Sequence, residues 1–172
     1  MDKELMHAFT RRLSQCNKGE MIVITYEIGF AYLDDAKDAY KAGNHRDFKQ
    51  GILKSQRVLR ELMDSLDFKY KIAGNLYQLY RYCSMELSET LYKNNLSGVE
   101  ETEKVLRPLY NSFVEAAKQD HSEPLMQNIQ QVYAGMTYGK GELTENYLEN
   151  DVHRGFLVLE SSIFFTQLSR NL

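Results

Sequence analysis

The side chains best equipped for chemistry are four histidines, two cysteines and a short acidic cluster. The histidines are His7, His45, His121 and His153. A dinuclear carboxylate centre in a helical bundle needs paired Glu-x-x-His motifs on facing helices. That spacing occurs once, at Glu4–His7, so the pair is missing. All four histidines fall near expected helix ends or in connections, which reads as surface or capping histidine. No His/Cys grouping has zinc spacing, and no metal ligand is assigned. His45, followed by Lys49 and Gly51, invites comparison with a phosphotransfer histidine. It stands at a helix start rather than mid-helix, and its spacing is not that of phosphotransfer bundles.

The other catalytic constellations fare no better. Gly139-Lys140-Gly141 lacks the spacing of a phosphate-binding loop. Lone serines such as Ser65 have no base nearby in sequence, so no hydrolase triad can be assembled. Glu61, Asp64 and Asp67 resemble a general acid/base cluster, but they occupy the last turns of an expected helix. A solvated helix end, with Asp67 available to cap the next element, accounts for them. The reading is that the chain is not an enzyme and carries no cofactor.

Apolar and aromatic surface remains. The fourth expected helix carries Tyr77, Tyr80 and Tyr82 beside a nearly continuous apolar stripe. Three tyrosines at those positions cannot all face one core, although a ring half-buried at a helix boundary with its hydroxyl in water is ordinary. As a group they point to a groove able to accept a partner helix.

The elements that must position these residues are set by periodicity. Leu5, Met6, Phe9 and Leu13 make residues 4–15 a short amphipathic helix. Asn17 with Glu20 forms a capping box opening a second helix, which Gly43 stops. Its stripe is Ile22, Tyr26, Gly29, Leu33, Ala36 and Tyr40; Met21, Ile24, Ile28 and Ala31 make a second apolar side, so it should be covered from two directions. Asn44 caps a third helix running to about Leu66. A fourth spans about Ile72 to Asn94, with Leu76, Leu79, Tyr80, Cys83, Leu87 and Leu91 inward. Ser97 and Glu100 form a second expected capping box, opening a fifth helix that contains Pro108. That proline removes a backbone donor and is expected to kink the helix.

Short connections make neighbouring helices antiparallel. The fold class is therefore all-α: an antiparallel up-down bundle of four to five helices with an additional C-terminal segment. Residues 1–119 form the bundle and 120–172 an extension. Within the extension a helix should run from Ser122–Pro124 to about Ala134. Beyond it comes a glycine-rich, mostly irregular stretch over 135–155, with at most a turn of helix at 143–148. The apolar block Phe156–Leu168 closes the chain and is read as helix rather than strand.

Length and composition agree. The chain has 172 residues, 43% hydrophobic and 26% charged, with net charge −3. It can bury a sizeable core. Lys and Arg are scattered, which argues against a nucleic-acid partner. The longest near-apolar run, Met21–Tyr26, is too short for membrane insertion, and residues 1–20 lack a signal-peptide core. Cys16 and Cys83 share no motif spacing, which fits a reducing cytoplasm.

At residues 61–67 a recognisable string appears. Glu61-Leu62-Met63-Asp64-Ser65-Leu66-Asp67 resembles the Glu-Leu-x-x-Ser-Leu-Asp signature of the FliS-type flagellar secretion chaperones. Ile72-Ala73-Gly74-Asn75-Leu76-Tyr77-Gln78-Leu79-Tyr80-Arg81-Tyr82 is similar to that family's Ile-Ala-x-Asn-Leu-x-x-Leu-Tyr-x-Tyr pattern. Met21 to Ala39 resembles its first long helix, and the likeness runs over roughly residues 4–118. It implies a cytoplasmic flagellar export chaperone. Such a protein binds flagellin's C-terminal segment in hydrophobic grooves, prevents premature polymerisation and delivers the subunit to the flagellar type III export gate. The partner-binding residues it implies are Leu62, Leu66, Ile72, Asn75, Leu76, Leu79 and Tyr80, with core and groove members not yet divided.

There are departures from the family pattern. Gln15-Cys16-Asn17-Lys18 replaces the usual Thr-Ala-Ser-Pro, and Phe68-Lys69-Tyr70-Lys71 stands where Gly-Gly is usual. The N-terminal arm, which in the family can cover the partner groove, matches only loosely through Leu5 and Phe9. Residues 119–172 exceed the usual length. These differences keep open a diverged helical adaptor or regulatory protein with another partner. For the tail they leave three roles, a built-in competitor for the groove, an enlargement of the core or a second partner site.

Overall fold

The computed structural model describes residues 2–125, all within one compact unit, Met1–Gln127. Five helices succeed one another: α1 Lys3–Gln15, α2 Lys18–Lys41, α3 His45–Asp64, α4 Lys71–Lys93 and α5 Ser97–Ala117. There is no strand among the described residues. The expected all-α bundle is what the described residues form.

Local chemistry sets most of the helix ends. The Asn17 side chain accepts the Glu20 N–H at 2.9 Å, and the Glu20 carboxylate accepts the Asn17 N–H at 3.0 Å. This is the capping box read from the sequence, and it satisfies two donors that the first turn leaves free. Gly43 adopts φ +70°, a backbone region that costs glycine nothing, and ends the segment after α2. Asn44 then caps α3 by accepting the Asp47 N–H at 3.2 Å.

Three ends differ from expectation. The Ser97–Glu100 box does not form: Leu96 stands at the N-cap of α5 without a side-chain bond. Asn95 Oδ1 instead accepts both the Ser97 N–H and its hydroxyl, turning that hydroxyl away from the helix. α3 ends at Asp64 rather than Leu66, and the Ser65 hydroxyl bonds back to the Leu62 carbonyl at 2.8 Å. Asp67 does not cap α4. Its carboxylate accepts the Lys69 N–H at 2.9 Å, closing a turn within the connection.

In the body, α2 packs on α3 and α5, and α4 packs on the same two helices, so four antiparallel helices close into a ring. α1 lies on the outside of α2, with Phe9 and Leu13 buried. The two-sided covering expected for α2 is therefore observed. Leu33, Ile52, Leu87 and Val99, one from each ring helix, are closed to solvent. Pro108 sits within the continuous span of α5.

After α5 the chain turns back to the α1–α2 elbow. Asp120 accepts the Gly19 N–H on its carboxylate and the Asn17 side-chain amide on its carbonyl, and Leu125 N–H donates to Cys16 O at 3.0 Å. His121–Pro124 have no regular secondary structure. The remainder of the helix expected to about Ala134, the glycine-rich stretch 135–155 and the block 156–168 lie outside the described residues.

Candidate partner-binding surface

α4 carries more apolar residues than a single buried face can hold. Ala73, Leu76, Tyr80, Cys83, Leu87 and Thr90 point inward. At 3.6 residues per turn, Ile72, Asn75, Leu79, Tyr82 and Glu86 fall on one flank of that stripe, at i, i+3, i+7, i+10 and i+14. This flank faces α5. A Cβ added at Gly98 would lie 2.2 Å from the Glu86 carbonyl, and the Tyr82 phenol senses Glu101. Tyr77, Ser84 and Ser88 form the opposite flank, at i, i+7 and i+11. They face α3, where the Gln56 side-chain amide donates to Ser84 O at 2.9 Å and Ser88 Oγ at 2.8 Å.

The α5-side flank stays open. Ile72 is 63% exposed, Leu79 37% and Tyr82 42%. Asn75, between them, is also exposed. In the connection before α4, Phe68 and Tyr70 are exposed as well, at 64% and 63%, and the Phe68 ring meets Tyr77 of the α3-side flank edge-on with centroids 5.9 Å apart. Eight of the ten large apolar side chains found exposed among the described residues lie between Phe68 and Tyr92; Ile72, Leu79 and Tyr82 share this flank, whereas Tyr77, Met85 and Tyr92 lie on the α3 side of α4. Isolated exposed apolar side chains are ordinary, whereas a run of them along one element marks an interaction surface. The Tyr82 phenol is held above its usual pKa, first by partial desolvation and then by Glu86, so it stays a neutral hydrogen-bond donor on this surface.

The structure sorts the seven residues expected to bind a partner. Leu62, Leu76 and Tyr80 are buried in the bundle, at 5%, 8% and 1% exposure. Leu66 is half-buried in the α3–α4 connection. Ile72, Asn75 and Leu79 lie together on the open flank. Tyr82 belongs to the tyrosine group but not to the seven, although its i+10 spacing from Ile72 is the signal that places it there. Phe68 and Tyr70 are legible in the sequence only as replacements for the usual glycines.

Elsewhere a cleft of about 450 Å³ opens where the end of α1, the start of α2 and the end of α5 meet, lined by Cys16, Val23, Ile24, Val114, Ala117 and Lys118. Beside it Arg12 pairs with Glu27, which also accepts the Tyr110 hydroxyl at 3.1 Å, tying α1, α2 and α5 together. No group of three metal-binding side chains occurs among the described residues. His45 and His7 are exposed on α3 and α1. No helix among the described residues is long and apolar enough to cross a membrane.

The family model for flagellar protein FliS matches residues 7–120. The chain belongs to the FliS family. FliS proteins are flagellar export chaperones, so this member has a protein client in flagellar assembly. The matched span takes in all five helices apart from the first turn of α1, and with them the whole of the open α4 flank. No curated protein matches the chain.

Proposed function

We propose that this FliS family member binds the C-terminal segment of newly made flagellin in the cytoplasm. It would keep that segment from polymerising and deliver it to the flagellar type III export gate. The observation that carries the reading is the exposed row Ile72, Asn75 and Leu79, drawn from the family motif, on a helix whose motif residues Ala73, Leu76 and Tyr80 are buried. A flagellin segment that is amphipathic and unfolded before assembly can lay its apolar face on that row. Burial of apolar area then opposes the entropy cost of ordering the segment. On this reading residues 1–119 are the chaperone body and 120–172 an extension of it.

One observation favours a second reading, a diverged adaptor with a different client. Phe68 and Tyr70 place two exposed aromatic rings in the connection just before α4, where the family usually has a glycine pair with no side chains. Titration of the full chain with a peptide of the cognate flagellin C-terminus separates the two. Saturable binding at micromolar concentration or tighter is expected. A folded chain that leaves the peptide unbound at high micromolar concentration overturns the flagellin reading and leaves the adaptor.

A further inference from the structure

A second surface lies on the other side of α4. Along α3 the residues Arg46, Lys49, Leu53, Arg57 and Arg60 succeed one another at i, i+3, i+7, i+11 and i+14, and all are exposed. They form one outward strip about 21 Å long at 1.5 Å per residue. Cations that look scattered in the sequence are thus aligned by the helix. On neighbouring α4, Arg81, Met85, Ser88 and Tyr92 form a matching exposed strip at i, i+4, i+7 and i+11.

Gln56 fixes the register between the two strips through its bonds to Ser84 and Ser88. Because the helices are antiparallel, Arg60 comes level with Arg81, and Leu53 comes level with the span between Met85 and Tyr92. The trough between α3 and α4 therefore has Leu53, Met85 and Tyr92 as exposed apolar contacts, at 42%, 62% and 89%. Around them stand Lys49, Arg60 and Arg81. Among the described residues Arg46, Lys49, Arg60 and Arg81 have no ion-pair partner, whereas Glu89 at the edge is already paired with Lys93.

We infer that the α3–α4 trough docks an acidic amphipathic helix of a partner protein. Its apolar side chains meet Leu53, Met85 and Tyr92, and its carboxylates meet Lys49, Arg60 and Arg81. This surface is distinct from the α5-side flank assigned to flagellin. A third helix packed into a trough between two others buries apolar area along its length, while flanking charges set its register and direction. A polyanion is a poorer fit, because the chain is net negative and the cations are spaced along helices around apolar contacts rather than massed.

The test uses the full chain and a labelled twenty-residue helical peptide with a leucine stripe and glutamates on both sides of it, read by fluorescence anisotropy. A peptide with lysine in place of every glutamate serves as control. The glutamate peptide should bind saturably and weaken with added salt, and the lysine peptide should not bind. Charge reversal at K49E, R60E and R81E together should weaken binding about tenfold or more. L53D should weaken it similarly while circular dichroism stays helical. Binding of the flagellin peptide should be unchanged in both variants. Equal binding of the two designed peptides, or no effect of the reversal, overturns the inference. So does preferential binding of anionic phospholipid vesicles or RNA. Loss of flagellin-peptide binding in the reversed variant also overturns it, because the trough would then belong to the flagellin site.

Discussion

The hydroxyls of Tyr26 on α2 and Tyr80 on α4 meet at 2.6 Å in the interior of the bundle, where each residue is 1% exposed. Each phenol is the other's buried partner, and the Tyr26 ring also lies 5.6 Å from Phe113. The pair links opposite helices of the ring across its centre. Burial first, with the neighbouring phenol, raises the pKa of Tyr26, and burial raises that of Tyr80.

Replacing either tyrosine by phenylalanine leaves the other hydroxyl buried and unsatisfied. Each single variant should lose about 1–3 kcal/mol of stability. The double variant removes both polar groups and should cost less than the sum. Urea unfolding of the four proteins in the cycle measures this, and strict additivity would show that the hydroxyls do not interact.

Alkaline pH should unfold the chain through the same interior. Burial pushes the Cys16 thiol up to about 11 and the Cys83 thiol up to about 12, from an ordinary 9.0. With Tyr26 and Tyr80 also raised, the folded state keeps protons that the unfolded chain releases. Stability is then fully present below the unfolded values and falls as pH rises past about 9, first through the thiols and then through the phenols. Urea midpoints measured from pH 7 upward should decline from that point. A C16A/C83A variant, whatever its stability at neutral pH, should begin its decline nearer to the ordinary phenol value of about 10.

Two glycines should respond in opposite directions. A Cβ at Gly98 would lie 2.2 Å from the Glu86 carbonyl and 2.8 Å from its carbon, so α4 and α5 would have to part. Gly98→Ala should destabilise by about 1–3 kcal/mol. Gly74 lies inside α4 with nothing within 4 Å of its added Cβ, and Gly74→Ala should stabilise by about 0.5–1 kcal/mol. Thermal melts of both variants check the pair.

On the proposed partner surface, binding and stability should separate by residue. Ile72→Asp and Leu79→Asp alter exposed positions, so the helical signal should persist while affinity for the flagellin peptide falls about tenfold or more. Leu76→Ala removes a buried side chain and should cost about 2–5 kcal/mol of stability. Calorimetric titration beside urea unfolding distinguishes the outcomes, and full peptide affinity in both aspartate variants would count against the α4 flank as the site.

Much of the fold is legible in the residues themselves. The Asn17–Glu20 box, the Asn44 cap and the positive φ of Gly43 depend on contacts within a few positions, and each forms as the sequence implies. The Ser97–Glu100 box fails for an equally local reason, competition from Asn95 two residues earlier. The motif at residues 61–82 likewise locates the candidate surface to within one helix and its preceding connection.

The sequence alone could not divide that motif. Leu76 and Leu79 are the same residue type three positions apart on α4, yet one is buried and the other is 37% exposed. Leu62 closes into the core while Leu66, beyond the end of α3, is only half-covered. α4 is apolar around more than half its circumference, so periodicity leaves several rotations about its axis nearly equivalent. Only the positions of α3 and α5, fixed by the Gln56 bonds on one flank and the close approach of Gly98 to Glu86 on the other, decide which arc is sealed and which is left facing water.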